Sequence, residues 1–217
     1  MRYLFSVMCL GLGGSLFSIT KYCGVKDLDN IHQKLGLQFV KESIYRVPQV
    51  LRIDAAKAVE YTTNKLYQDG TKKYKLALKK GLMPDLCIKW INKTVGYGLF
   101  ANEAIQKGQL LGEYVGVIDF ASNVKNTDFA FVYPLKIDGK QLSLDCRHYS
   151  NALRFANHSD QSNTNTQYIV VDGRFRLIFF ARVDIKAGQQ IFINYGANYW
   201  WTDDKANVGR KKLNLGE

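Results

Sequence analysis

The sequence predicts a mainly β fold preceded by a helical, basic N-terminal region. From Leu86 onward, apolar and polar residues alternate in short runs rich in β-branched and aromatic side chains, the pattern of strands with one buried face. Before that point the apolar residues recur at helical spacing, and the breaks fall at Pro48, Gly81 and Pro84. With 217 residues, 47% hydrophobic and 13% aromatic, the chain has material for one or two domains with a sizeable core. Three prolines and 18 glycines, without a repeat or low-complexity tract, exclude a solenoid and long linkers.

Four segments follow from this pattern: an apolar stretch at 1–20, a basic helical region at 21–84, a β domain at 85–201 and a polar tail at 202–217. The stretch 3–19 is uncharged, follows Arg2 and is closed by Lys21, which fits an export signal, a membrane anchor or a buried helix. Next, Asp27 or Asp29 caps a helix with Leu28, Ile31 and Leu35 on one face. Asp54 is expected to cap a helix over 55–68 with Ala55, Ala58, Val59 and Leu66 in one stripe, stopped by Asp69-Gly70. A basic helix over 72–80 ends at Gly81. Strands are expected at 86–90, 97–101, 109–118, 129–135, 141–145, 168–171, 175–183 and 190–195. Asp138-Gly139 and Asp172-Gly173 lie between such runs as hairpin turns.

The net charge of +11 is uneven. Residues 1–84 hold 14 Lys and Arg against 6 Asp and Glu, residues 85–201 hold 12 against 10, and residues 202–217 hold 4 against 3. A basic N-terminal third suits nucleic acid, an anionic membrane surface or an acidic protein, or is simply a solvated helix face. Cys9, Cys23, Cys87 and Cys146 are far apart and form no C-x-x-C pair, which speaks against a zinc site and a disulfide scaffold.

The polar run Arg154-Phe155-Ala156-Asn157-His158-Ser159-Asp160-Gln161-Ser162-Asn163 stands between two strand-like stretches. Phe155 and Ala156 carry Asn157 and His158 toward the core, where unpartnered polar groups cost about 1–3 kcal/mol each. A glycosylation acceptor at Asn157-His158-Ser159 is the plainer alternative, and burial of the asparagine disfavours it. Three further stretches bear on chemistry. Gly96-Tyr97-Gly98-Leu99-Phe100-Ala101 has glycines that let backbone approach a ligand or simply make a turn. Gly112-Glu113-Tyr114-Val115-Gly116 places a tyrosine toward a pocket or the core, and an apolar strand ends at Tyr195-Gly196.

In this order and spacing, the four stretches resemble the SET-domain protein lysine methyltransferases over roughly residues 86–200, with a closer likeness to the bacterial, chlamydial histone-methyltransferase type. The resemblance implies a SET-type fold of several short-stranded sheets with a threaded C-terminal segment. It implies S-adenosylmethionine as cofactor and methyl transfer to a lysine of a histone or another basic protein. It also implies location in the cytoplasm, or secretion into a host cell and its nucleus. Tyr195 is the residue expected to orient the amine, with Tyr114 and Tyr149 as pocket walls. Gly96, Tyr97, Gly98, Asn157 and His158, together with Tyr195, are expected to hold the cofactor, and no metal is expected. His158 reads as a structural imidazole rather than a base, and burial beside a sulfonium would itself deprotonate the lysine.

The chain departs from the family's N-H-S-C-x-P-N pattern at Asp160 and Ser162, and from its usual acids at Gln190 and Asn194. The Cys-rich zinc motif that follows the domain in many relatives is missing after Gly196, which leaves Tyr199-Trp200-Trp201 to close the pocket or cap the core. Thr166 and Ile193 stand where relatives limited to one methyl place a tyrosine, which leans toward more than one methyl. The departures also fit a catalytically weak SET-like adaptor module with a basic N-terminal arm.

Overall fold

The computed structural model describes residues 21–23, 25–125 and 128–196, so the segment 1–20, the Tyr199-Trp200-Trp201 cluster and the 202–217 tail lie outside the described residues. The first elements are β1 (Lys21–Cys23), α1 (Val25–Lys34), β2 (Gln38–Phe39), β3 (Ile44–Tyr45), α2 (Val59–Thr62) and α3 (Lys65–Lys79). There follow β4 (Leu86–Asn92), β5 (Gly96–Ala101), β6 (Leu110–Tyr114), β7 (Val117–Phe120), β8 (Ala130–Ile137) and β9 (Lys140–Asp145). The last are β10 (Tyr149–Ser150), β11 (Asn157–His158), β12 (Thr164–Val171), β13 (Arg174–Ala181) and β14 (Phe192–Ile193). They assemble into small sheets, in the orders β1-β4-β5, β10-β2, β11-β14, β12-β13-β6 and β3-β7-β9-β8.

Both Asp-Gly pairs make tight hairpins. Asp138 and Gly139 (φ 50° and 73°) join β8 to β9, and Asp172 and Gly173 (φ 49° and 70°) join β12 to β13. Positive φ at both central residues gives the turn the right-handed twist of its strands.

The first third departs from the helical expectation in two ways. It contributes strands to three of the sheets: β1 pairs with β4, β2 with β10 and β3 with β7. Pieces of two or three residues carry no readable period. The helix expected over 55–68 is instead a turn, short α2 and then α3, which runs straight through the supposed stop at Asp69-Gly70. Asp54 accepts from Ala56 N in a local turn, while Asn64 accepts from Tyr67 N at 3.2 Å and caps α3. Gly70 is buried where a side chain would meet Gln167 and Ile169 of β12. Close helix–sheet approach thus outweighs the ~1 kcal/mol that glycine costs a helix interior. The expected stripe does not form: Ala55 is buried, but Val59 and Leu66 are 64% and 72% exposed.

The strand expected at 109–118 splits at Val115-Gly116, so that β6 joins β13 and β7 joins β9 in a different sheet. A Cβ on Gly116 would lie 2.5 Å from Cys146 Sγ and against the Asp145 carbonyl. Most buried side chains form one core that includes Ile88, Leu99, Ile118, Phe155, Phe179, Ile191 and Ile193, and a smaller cluster of Tyr74, Leu110, Ile169, Val171 and Ile178 lies under α3.

The C-terminal segment is threaded through this core. On one side Ile191 N donates to Leu99 O (2.7 Å) and Ala101 N to Gln189 O (2.9 Å); on the other, β14 lies parallel to β11. Because backbone and a buried thiol crowd Gly116, Gly116→Ala is expected to destabilise the fold by about 1–3 kcal/mol. Urea unfolding should show a lower midpoint at an unchanged m-value.

Candidate active site

The site grows from the parallel contact of β11 with β14. Asn157 stands opposite Phe192 and His158 opposite Ile193, which brings the chain after β14 back over residues 156–158. Tyr195 is gripped there at both ends. Its hydroxyl donates to Ala156 O (3.1 Å) and its amide to His158 Nδ1 (3.1 Å), with the two rings 5.3 Å apart. An imidazole that accepts at Nδ1 carries its proton on Nε2, and Nε2 lies 3.3 Å from Asp160 Oδ1. Burial lowers the His158 pKa and the Asp160 carboxylate opposes the shift, so the ring is a neutral hydrogen-bonding strut.

Tyr114 lies beside this pair. It is buried, stacked on Phe179 at 5.2 Å and 6°, edge-on to Phe131, and its hydroxyl donates to Phe129 O at 3.3 Å. Burial, then the adjoining Cys146 and Tyr195, push its pKa well up. Cys146 is also pushed well up by burial, and its Sγ donates to Val115 O, which leaves a neutral thiol without nucleophilic character. Arg154 lies over the Phe129 ring at 3.8 Å and donates from Nε to Cys146 O at 3.0 Å, with Tyr114 and Tyr195 among the groups its charge acts on. Tyr195, Tyr114, Cys146 and Arg154 therefore form one cluster. Tyr149 is half-buried on β10, where it pairs with Gln38 of β2.

The glycine stretch divides. Gly96 has φ 78° and open space where a Cβ would point. Gly98 meets protein on its Cβ side, where Gln190 Nε2 and Ile91 Cδ1 each stand 2.7 Å from the Cβ position. Its missing side chain admits protein atoms. Tyr97 packs edge-on to Trp90 and Phe155, and its carbonyl accepts from Asn157 Nδ2 at 3.2 Å. Among the described residues Asn157 Oδ1 is left as an acceptor next to Gly96-Tyr97, an oxygen suited to receive an ammonium group.

Asn163 carries more of the site than its place at the end of the polar run suggests. Its Nδ2 donates to Gln190 O (2.8 Å), and its Oδ1 accepts from Phe192 N (2.9 Å) and Thr164 Oγ1 (3.2 Å). The side chain imitates a strand neighbour for the threaded segment. The available signal was its match to the last asparagine of N-H-S-C-x-P-N. Asp160 and Asn194 are exposed, Ser162 is buried, and Asn194 Oδ1 accepts from Gly196 N at 2.7 Å.

Residues 96–196 match the family model described as SET domain. Among curated proteins, the variant-silencing SET domain-containing protein of Plasmodium falciparum is 34% identical over 132 residues, 56% of this chain and 5% of that protein. The histone-lysine N-methyltransferase ASHH3 of Arabidopsis thaliana is 30% identical over 131 residues, 55% of this chain and 36% of that protein. The chain thus spans only a small part of the length of these relatives. The crystal structure of ATXR5 with a mono-methylated histone H3.1 superposes with a TM-score of 0.61 at 18% identity, over 78% of this chain and 86% of that one. The fold is the SET fold, and residues 96–196 resemble the SET domains of histone-lysine methyltransferases.

Two outcomes follow from the geometry. Asn163→Ala removes a donor and an acceptor from buried backbone groups and should cost about 2–3 kcal/mol, read as a lower urea midpoint. His158 has a folded-state pKa below that of the unfolded chain. Its contribution to stability is therefore complete above about pH 6.5 and lost as the pH falls from there through the folded-state value. The Tm difference between wild type and His158→Asn should shrink on acidification through that window, and a constant difference would contradict the neutral strut.

Proposed function

We propose that the chain transfers methyl groups from S-adenosylmethionine to the ε-amine of a lysine in a histone or another basic protein. The observation that carries this is the double grip on Tyr195. Because its O–H is spent on Ala156 O, the hydroxyl oxygen presents lone pairs to whatever lies before it. Such an oxygen steers an attacking amine and the C–H bonds of a methyl cation-equivalent without itself exchanging a proton. The cofactor, when bound, supplies a methyl carbon on a sulfonium sulfur. Asn157 and the open face of Gly96 would hold its amino-acid end, and the Tyr97 ring would flank it.

No base is needed among these residues. A lysine entering beside Tyr114 and Tyr195 meets apolar walls and the Arg154 guanidinium, and both favour its neutral form. Tyr114, pushed up by burial, stays protonated and does not compete for that proton. Histone as substrate is supported by the histone H3 complexes of ATXR5. Thr166 and Ile193, neither aromatic, support transfer of more than one methyl. The same reading extends to the chlamydial-type affiliation, to a cytoplasmic or host-nuclear location, and to contact of residues 21–84 with nucleic acid or another anionic surface. For that last point, α3 exposes Lys65, Lys72, Lys73, Lys75 and Lys79.

The test is incubation with labelled S-adenosylmethionine and either histones or source-cell lysate, followed by mass spectrometry of the labelled residue. Label on lysine is expected. Tyr195→Phe should lower turnover on the order of 10²-fold, the scale of a lost alignment, in a protein that still melts cooperatively although the Ala156 carbonyl loses its donor. Undiminished turnover in that variant would remove Tyr195 from the mechanism.

A further inference from the structure

We infer that Asp160 is a positioning residue for Tyr195, acting through the His158 ring: by accepting the Nε2 proton it keeps Nδ1 free to receive the Tyr195 amide. The catalytic consequence rests on the methyl-transfer reading above, whereas the hydrogen-bond chain does not.

A neutral imidazole has one donor and one acceptor nitrogen, and nothing in the ring itself fixes which is which. Two neighbours make the choice here. The Tyr195 amide points at Nδ1 from 3.1 Å, and a proton on Nδ1 would set two donors face to face. At the far side of the ring, a carboxylate oxygen 3.3 Å from Nε2 can only accept. Both select the Nε2–H form. The His158 side chain is 8% exposed and the Asp160 side chain 75%. Being so solvated, the carboxylate adds little to global stability, but together with the amide it holds the proton of a nearly enclosed ring on Nε2.

The consequence falls on Tyr195 alone. Residues 156, 158 and 160 together fix its tip, its amide and the ring that holds the amide. Asn157 makes its bond to Tyr97 independently of this chain. Losing the carboxylate should therefore disturb the step that needs an aligned Tyr195 and spare cofactor binding. Position 160 is also where the chain leaves the N-H-S-C pattern, so the carboxylate belongs to this protein rather than to the pattern.

The chain has three histidines, so the His158 ring can be assigned in long-range 1H–15N spectra of the full-length protein by comparison with His158→Asn. Measured well above the histidine pKa, wild type should show Nε2–H. Asp160→Ala should shift toward Nδ1–H or an average of the two, and Asp160→Asn, which keeps an acceptor oxygen, should restore the wild-type pattern. In turnover, Asp160→Ala should lose about 10-fold or more in kcat, with the KM for S-adenosylmethionine unchanged and Asp160→Asn close to wild type. Melting curves check that all variants fold. An unaltered Nε2–H signal in Asp160→Ala, or an Asp160→Asn variant as impaired as Asp160→Ala, would overturn the assignment. A tautomer shift in a protein that methylates nothing would uphold the positioning chain and refute the methyl-transfer reading instead.

Discussion

The arrangement depends on one constraint: the segment 189–195 passes between β5 and the 156–163 run, and its backbone must be satisfied on both sides. Buried amides and carbonyls without partners are rare in native structures. A two-residue strand such as β14 cannot meet that demand through its own ladder. Leu99 and Ala101 supply one side, Ser159 donates to Ile193 O at 3.1 Å, and the Asn163 side chain fills the remaining positions next to Gln190 and Phe192. Ile191 and Ile193, 0% and 3% exposed, lock the segment by burial. Tyr195 follows directly, so its place in the site is inherited from the threading of the core.

Electrostatics around that segment favours groups that keep their protons. Tyr114, Cys146 and Tyr168 are all held protonated by burial. On β6 and β13, Glu113 and Arg176 pair at 3.2 Å, and burial raises the Glu113 pKa against the pull of the guanidinium. Removing one partner of such a pair strands the other charge at a cost of about 3–5 kcal/mol. Asn151 ties the same strand to the polar run by donating to Glu113 O at 2.7 Å. Among the described residues the cation in the tyrosine cluster is Arg154, held over an aromatic face and a carbonyl, and its presence disfavours a second positive charge nearby.

Much of the β region is legible in the sequence because its strands are long enough to show a period and its turns carry Asp-Gly. The run from Arg154 to Asn163 is legible as chemistry because it gathers hydrogen-bonding side chains between apolar stretches. What escapes has a physical reason in each case. β1, β2 and β3 are too short to alternate. Gly70 reads as a stop, since nothing local announces that β12 lies against it, and Gly116 ends a strand because of Cys146, thirty residues away. The roles of Asn163 and Asp160 depend on a segment that arrives from position 190 onward, so only tertiary geometry reveals them. Gly98 belongs with them: its missing side chain makes room for Gln190 and Ile91, which no local pattern announces.

A site built this way suits a reaction limited by alignment. In-line transfer needs the reacting atoms about 3–3.5 Å apart and collinear, and holding them so lowers the barrier by several kcal/mol without any protein group changing charge. Rigid placement of Tyr195 by backbone partners at both ends meets that need better than a free side chain would. The strand pairing also places Thr166 relative to the tyrosine cluster. Thr166 pairs directly with Phe179, and residues opposite each other in an antiparallel pair share a face. Since the Phe179 ring stacks on Tyr114, Thr166 stands on the Tyr114 side of the sheet.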